Sequence, residues 1–261
     1  MPQSGNIGTN VTGAHMKIGI LGAGNIGATL ARKLSAAGHT VLLANSRGPD
    51  TIADLAGEAD ATAVPVAEAV KDVDVIIMSI PLGKIPSLKE LLAEVPADVA
   101  VADTSNYYPH RDGRIPALDN GQTESIWVSE QIGRPVVKAW NSVLAGSLAT
   151  EGKPAGAEGR IALPVAGDDS DAKKVIIGLV DATGFDGIDA GTLAESWRQQ
   201  PGNPAYCTDL EADDLRRALS AADQSRAPKL RDLSIEKVQK MGSFESITNE
   251  DLLNINRSLY V

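Results

Sequence analysis

The chain has 261 residues, and 43% of them are hydrophobic, which is enough for one large domain or one domain with a small appendage. Its net charge of −10 and its scattered basic residues argue against nucleic-acid binding, which needs a basic surface. The single cysteine, Cys207, excludes an internal disulfide and suits a cytoplasmic protein. The three histidines lack metal-ligand spacing and the apolar runs are of strand length, so we predict neither a metal site nor a membrane segment.

The N-terminal segment differs from the rest of the chain. Residues 1–15 are polar, are rich in Gly, Asn and Thr, and run through Gly-Ala-His into Met16. This pattern is typical of an expression-vector remnant. We therefore predict that residues 1–15 are a disordered expression tag and that the native chain begins at Met16.

The first predicted element is an apolar strand from Lys17, followed by a glycine-rich turn and an Ala-rich helix. The order Gly-x-Gly-x-x-Gly at such a junction is typical of a dinucleotide site: Gly22 makes the tight turn, Gly24 lets the backbone approach a pyrophosphate, and Gly27 lets the helix pack on the strand. The helix N-terminus attracts the phosphates. We predict cofactor contacts from the whole turn, namely Gly22, Ala23, Gly24, Asn25, Ile26 and Gly27.

The end of the second predicted strand indicates which cofactor binds. Where the NAD pattern has an acid that binds the adenosine ribose, this chain has Asn45, Ser46 and Arg47. A guanidinium can hold a phosphate with two hydrogen bonds, so NADP(H) is favoured over NAD(H). The alternative is an ordinary Asx turn with an exposed arginine.

Further apolar runs alternate with helical segments along the chain. The runs 61–64, 75–80, 99–102 and 136–140 are almost continuously apolar, as in parallel strands buried on both faces, and a short helix ending at Val73 separates the first two. We predict an α/β fold with a doubly wound, mostly parallel Rossmann sheet in the order 3-2-1-4-5-6. Strands over 160–167 and 185–189, on either side of a helix over 170–183, are expected to extend this sheet.

The composition changes beyond Gly191, where charged helical stretches (209–222 and 234–241) alternate with Pro/Gly loops. This pattern predicts a small, mainly helical C-terminal cap or a dimer contact. We divide the chain into an NADP-binding Rossmann domain with a sheet extension over 16–190 and a cap or dimer segment over 191–261.

Ligands of such sheets bind beyond the carboxyl ends of the strands. One loop there begins where a proline ends the fourth strand, and its backbone groups are placed to line the nicotinamide ribose. The alternative is ordinary strand-ending turn chemistry. We predict cofactor contacts from this loop, namely Ser79, Ile80, Pro81 and Leu82.

These motifs, together with Lys138-Ala139-Trp140-Asn141, resemble the NADPH-dependent reductases of the deazaflavin coenzyme F420, over residues 16–191. The resemblance implies a Rossmann domain with a small C-terminal part, a homodimer, and hydride transfer between nicotinamide and deazaflavin. It implies that Ser46 and Arg47 hold the cofactor phosphate and that the segment 138–141 borders the acceptor pocket. The family carries Phe or Leu where this chain has Trp140, which leaves the acceptor open.

The acceptor side offers several candidate residues on loops. We predict substrate contacts from Asn106, Trp140, Asn141, Trp197 and Arg198. Residues 197–202 combine an indole, a cation and amides between Pro and Gly, which suits a loop that covers the nicotinamide. The candidate proton donors are Arg198, Tyr206 and His110, with Tyr107 and Tyr108 also present, although each of them is more often a packing or surface residue.

These observations favour an NADP(H)-dependent oxidoreductase that transfers a hydride to a small acceptor, such as F420 or a flavin- or quinone-like molecule. One alternative is an NADPH-dependent carbonyl or imine reductase, which needs a positioned proton donor. Another is a non-catalytic NADP(H) sensor. We favour the enzyme because the strand-end loops and the capping tail exceed what cofactor sensing requires.

Overall fold

The computed structural model describes residues 15–242 and 247–260, so the predicted tag lies outside the described residues except for His15. A parallel sheet of six strands has the order β3-β2-β1-β4-β5-β6, which confirms the predicted topology. Its strands are β1 (Lys17–Leu21), β2 (Thr40–Ala44), β3 (Thr62–Ala63), β4 (Val75–Met78), β5 (Ala100–Asp103) and β6 (Val137–Lys138).

Helices cover both faces of this sheet, so its strands are mainly apolar, apart from the buried Asp103 and Lys138 at the ends of β5 and β6. On one face Ile18 and Ile77 join one core cluster, and on the other Leu21 and Ile76 join a second. The helices as far as β6 and just beyond it are α1 (Asn25–Ala36), α2 (Ala53–Glu58), α3 (Lys89–Ala93), α4 (Pro109–Asp112), α5 (Pro116–Asp119), α6 (Glu124–Ile132) and α7 (Ala145–Thr150), with 3-10 helices at Pro49–Ile52 and Leu82–Leu88.

The predicted short helix ending at Val73 is wrong, because the chain between β3 and β4 forms turns. Its backbone lies directly on β1, where a Cβ at Gly19 would overlap the carbonyl of Ala69. A regular helix with its side chains facing β1 would hold the backbone farther from the sheet. Gly19 therefore allows the turns between β3 and β4 to pack flat against β1.

The predicted extension of the main sheet is also wrong. Strands β7 (Ala162–Val165) and β8 (Asp186–Asp189), connected by α8 (Ser170–Ala182), pair in parallel as a separate sheet. This sheet meets β6 through one antiparallel bridge, in which the amides of Lys138 and Ala166 donate to each other's carbonyls at 2.8 and 3.1 Å. Pairing stops there because Trp140, at φ +54°, turns the chain out of the strand conformation.

The C-terminal region is mainly helical, as predicted. It contains a 3-10 helix at Leu193–Gln199 and the helices α9 (Ala212–Ser220), α10 (Ala227–Met241) and α11 (Asn249–Arg257). Helix α9 packs on β7, α10 packs on α11, and α11 packs on α7, so this region closes over the end of the main sheet. Within residues 15–242 and 247–260, no helix combines the length and apolarity needed to cross a bilayer.

Candidate active site

A groove of about 580 Å³ lies at the carboxyl ends of β1, β2 and β4. The glycine turn, the segment after β2 and the loop after β4 meet in it, although they are far apart in the sequence. The residues that line it include Gly22, Ala23, Gly24, Asn45, Ser46, Arg47, Ser79, Ile80 and Pro81. The fold therefore brings most of the predicted cofactor contacts to one surface.

The glycine turn fits a phosphate group. At Gly22 the backbone has φ +116° and a Cβ would overlap the carbonyl of Ser79, while a Cβ at Gly27 would overlap the carbonyl of Gly22. A Cβ at Gly24 would meet nothing within 4 Å, so the space beside its backbone is open. Gly24 also caps α1, whose first N–H groups have no partner within the helix. The turn is thus closely packed at Gly22 and Gly27 and open at Gly24. On the open side, the free N–H groups of α1 carry a partial positive charge.

The segment after β2 contains the Asx turn that was the alternative interpretation of Arg47. The Asn45 side chain accepts from the Arg47 amide at 3.0 Å and donates to Thr51 at 2.9 Å. This turn fixes the backbone of Ser46 and Arg47 at the groove, so the two interpretations are compatible. Among the described residues that line the groove there is no carboxylate, and a second cation, Lys84, is contributed by the 3-10 helix at Leu82–Leu88.

Some predicted cofactor contacts do not reach the groove. The side chain of Leu82 is fully buried in the core beneath the loop, which corrects its assignment. Asn25, Ile26 and Gly27 form the first turn of α1 and are absent from the described lining of the groove. They are positioned to act through the backbone. Lys84 was missed because a single lysine three residues after the strand-end proline carries no motif.

A buried charge cluster holds the ends of β5 and β6. Lys138 has no solvent exposure, and its Nζ donates to Asp103 Oδ2 at 3.0 Å and to the Ser105 carbonyl at 2.5 Å. Asp103 also accepts from the Ser105 amide and hydroxyl at 2.9 and 2.6 Å and from the Ser125 hydroxyl at 2.8 Å. These bonds fix the loop after β5. In the sequence, Lys138 could be recognised only as a charged residue inside an apolar strand.

Glu124, the first residue of α6, belongs to the same interior. Its Oε2 lies 4.0 Å from Lys138 Nζ and has no hydrogen-bond partner among the described residues. Burial raises the pKa of this carboxyl to about 7, although the charge of Lys138 acts to lower it. A buried carboxyl beside the strand ends thus titrates near neutral pH.

A network of amides connects the loops after β5 and β6 to the C-terminal region. Asn106 Nδ2 donates to the Asn141 carbonyl at 2.9 Å, and Asn141 Nδ2 donates to Asn106 Oδ1 at 3.0 Å and to the Gln199 carbonyl at 2.8 Å. Gln199 Nε2 donates back to Asn141 Oδ1 at 2.9 Å. Asn141 is 2% exposed, so it positions the half-buried Asn106 and is not itself open to an acceptor, which corrects its predicted role.

A second cavity, of about 250 Å³, lies between the loops after β5 and β6 and helices α10 and α11. Tyr108, His110 and Tyr206 all line it. Two of the three candidate proton donors, His110 and Tyr206, are thus brought together. The hydroxyl oxygens of Tyr108 and Tyr206 lie 2.7 Å apart. Tyr107 points elsewhere, with its hydroxyl 3.0 Å from Asp119 Oδ1.

The predicted acceptor contacts Trp140, Trp197 and Arg198 are corrected by their packing. Trp140 is 1% exposed inside the core, and its Nε1 donates to Thr183 at 3.3 Å, so it supports the fold and does not face an acceptor. Arg198 stacks 4.6 Å from the Trp197 ring centroid and donates to the Leu219 carbonyl at 3.3 Å. The segment of Trp197 and Arg198 is a 3-10 helix packed on α6 and α9, because its capping box favours helical over open-loop structure.

Comparisons with known proteins agree with this architecture. A family model described as NADP oxidoreductase, coenzyme F420-dependent, matches residues 17–107. A hypothetical protein from Sinorhizobium meliloti, SMa0349, has a solved structure that is 32% identical, covers 77% of this chain and 97% of its own, and has a TM-score of 0.65. Residues 17–107 therefore form a domain of the F420-dependent NADP oxidoreductase family. This family consists of NAD(P)-dependent oxidoreductases, which confirms the predicted resemblance and the oxidoreductase class.

Two other similar proteins extend the comparison. The Escherichia coli (strain K12) protein YjhV is 42% identical over 106 residues, which are 41% of this chain and 76% of YjhV. A candidate F420-dependent NADP reductase from Arthrobacter sp. FB24 is 22% identical, covers 87% of this chain and 96% of its own, and has a TM-score of 0.60. At that identity the likeness shows the fold alone.

Proposed function

We propose that the protein is an NADP(H)-dependent oxidoreductase that transfers a hydride between the nicotinamide and a small acceptor. The observation that carries the proposal is the groove, in which an open glycine turn faces Arg47 and Lys84 while no carboxylate stands among its described lining residues. An acid at the end of β2 would repel a 2′-phosphate, whereas a guanidinium binds one.

The residues of the groove suggest how the cofactor is held. The backbone at Gly24 and the first turn of α1 are suited to the pyrophosphate, and Ser46 and Arg47 are suited to the 2′-phosphate. The Ser79 amide donates to the Leu21 carbonyl at 2.8 Å, so the loop of Ser79 and Ile80 lies beside the glycine turn. This position supports a contact from the loop to the nicotinamide ribose. The bound cofactor would supply the hydride.

The acceptor has two candidate classes. Family membership supports F420 or a related flavin- or quinone-like ring, which can take its proton from water. The hydroxyl pair of Tyr108 and Tyr206 supports a carbonyl or imine, whose reduction needs a positioned donor. The cavity that contains this pair favours an enzyme over a sensor, because cofactor sensing alone requires no acceptor pocket.

The organisation of the chain is part of the proposal. A Rossmann domain over 16–190 binds the cofactor, and the segment 191–261 covers the acceptor side and contributes to a homodimer in the cytoplasm. Light scattering after size exclusion measures the dimer directly, and a monomer at micromolar concentration would remove it from the proposal without affecting the cofactor site.

The deciding experiment compares NADPH and NADH binding by fluorescence titration. We expect the unmodified protein to prefer NADPH, and Arg47→Ala to weaken NADPH binding ~10- to 100-fold while changing NADH binding about twofold or less, since a charged hydrogen bond contributes roughly 1.5–3 kcal/mol. Arg216→Ala, which removes an exposed arginine of α9, is the matched control and should change neither. Equal affinities for the two cofactors in the unmodified protein would contradict the proposal.

A further inference from the structure

The 250 Å³ cavity has the composition of a site for a compact organic molecule. Its walls combine aliphatic side chains with a few polar groups that converge from two loops. The aliphatic residues that line it are Leu144, Ile235, Val238, Leu252 and Ile255. Since small-molecule pockets usually measure about 300–1,000 Å³, this cavity suits a ligand smaller than a tricyclic ring system with a charged tail.

The cavity lies next to the groove at the carboxyl edge of the sheet. Asp112, at the end of α4, accepts from the Tyr108 amide at 2.9 Å and from the Gly83 amide at 3.3 Å. Gly83 lies between Pro81 and Lys84, which both line the groove. On the other side of the cavity, Leu144 leads into α7, which packs on α1. The two cavities share no lining residue, but the contacts of Asp112 join a segment that lines one to a segment that lines the other.

The two hydroxyls at 2.7 Å have unequal surroundings, which assigns their roles. The Arg111 guanidinium lies 5.3 Å from the centroid of the Tyr108 ring, where it stabilises negative charge on Tyr108. The cation beside Tyr108 therefore favours Tyr206 as the donor of the hydrogen bond within the pair and Tyr108 as its acceptor, which leaves the Tyr108 proton available to a ligand in the cavity.

Burial raises the pKa of both phenols, so both stay protonated near neutral pH. The raised pKa makes each phenol a weaker acid, but the alkoxide that develops from a reduced carbonyl is a stronger base than a phenolate, so the proton still moves to it. His110 lines the same cavity with its ring centroid 5.6 Å from that of Tyr108.

We propose that this cavity binds a compact, mostly apolar ketone or aldehyde and that Tyr108 is the catalytic proton donor to its carbonyl oxygen, assisted by Tyr206. The proposal rests on the proposed function, which supplies the hydride. As the hydride forms a C–H bond at the carbonyl carbon, the π pair of the C=O bond moves to oxygen. The oxygen takes the proton of Tyr108 to give an alcohol. The resulting tyrosinate accepts the hydrogen bond of Tyr206, faces Arg111, and regains a proton from water.

The first test measures binding without turnover. Compact carboxamides such as cyclohexanecarboxamide present a carbonyl oxygen but are not reduced, and their binding to the cofactor-free protein is measured by ligand-observed NMR and calorimetry. We expect Tyr108→Phe to weaken binding ~3- to 10-fold, the loss of one hydrogen bond of about 0.5–1.5 kcal/mol. Tyr260→Phe, a tyrosine outside the described lining of the cavity, is the control and should bind normally. Equal binding by the two variants, or no binding to the unmodified protein, would overturn the proposal.

The second test measures turnover with a panel of small ketones and aldehydes and with deazaflavin. We expect carbonyl reduction, and Tyr108→Phe should lower its kcat ~10²-fold or more, the usual contribution of a positioned proton donor, with the Kd for NADPH unchanged. Leu252→Trp should raise the KM for the carbonyl by filling the cavity. If the protein reduces deazaflavin and neither substitution changes the rate, this inference is overturned and the proposed function stands. Failure to bind NADPH would instead overturn the proposed function.

Discussion

Replacing Lys138 by methionine tests whether the buried charge cluster holds the ends of β5 and β6. Methionine keeps the length and apolar stem of lysine but leaves the carboxylate of Asp103 buried without its cation. In the native protein Lys138 has no exposure, and its Nζ is 3.0 Å from Asp103 Oδ2 and 4.0 Å from Glu124 Oε2. Removing one partner of a fully buried pair costs about 3–5 kcal/mol, because the other charge remains desolvated.

Urea unfolding measures this loss, with Lys71→Met as the matched control. Lys71 also forms a short ion pair, 2.7 Å from Glu68, but its side chain is 60% exposed, so water replaces the lost interaction and the free energy of unfolding should change little. The double variant Lys138→Met with Asp103→Leu removes both charges, and it should lose less than the sum of the two single variants by about 1–3 kcal/mol. Equal losses for Lys138→Met and Lys71→Met would refute the reasoning.

The remaining predictions concern the glycine turn, Glu124 and Arg198. Gly24→Ala should change stability by less than about 1 kcal/mol and weaken NADPH and NADH alike, because its Cβ enters only open space. Gly27→Ala should destabilise the fold, since its Cβ overlaps the Gly22 carbonyl; thermal unfolding and cofactor titration separate the two outcomes. Burial raises the pKa of Glu124 from 4.5 to about 7, so the native state binds the extra proton between these values and stability falls as the pH rises through them. Glu124→Gln should flatten this fall in urea unfolding at about pH 5 and about pH 8, and an unchanged slope would count against the raised pKa. Arg198→Ala should leave the acceptor KM unchanged in steady-state assays and cost about 1 kcal/mol or less, since it removes one half-buried hydrogen bond; a large KM increase would restore its role as an acceptor contact.

The sheet was predictable because its signals are local. Each strand is a short apolar run followed by Gly, Pro or a polar residue, and a fixed handedness of crossover connections determines the order. The two errors in the fold arise from non-local causes. The flat connection before β4 depends on Ala69 reaching Gly19, and the separate β7-β8 sheet depends on the positive φ of Trp140. Neither Gly19 nor Trp140 belongs to the segment whose structure it determines, so the sequence of that segment alone could not reveal the effect.

In the site, too, residues with a local sequence signal were predictable and residues that depend on distant contacts were not. The glycine turn and Arg47 were found because each is a motif within a few residues of a strand end. Trp197 and Arg198 were misassigned because composition alone cannot separate an open loop from a packed 3-10 helix. The buried pair of Lys138 and Asp103 joins two neighbouring strands, and its partners become clear only once those strands are aligned.

The match to the family model covers the cofactor half of the proposed site and not the acceptor half. That match covers residues 17–107, which contain the glycine turn, Arg47 and the loop after β4 but end one residue before Tyr108. The second cavity is built from Tyr108 onward, with Tyr206 and two helices that lie a hundred residues or so farther along the chain. Family membership therefore supports the cofactor class, while the acceptor must be inferred from this chain's own side chains. The proposed carbonyl acceptor is thus compatible with a nicotinamide-cofactor groove of this family, because different segments of the chain determine the two.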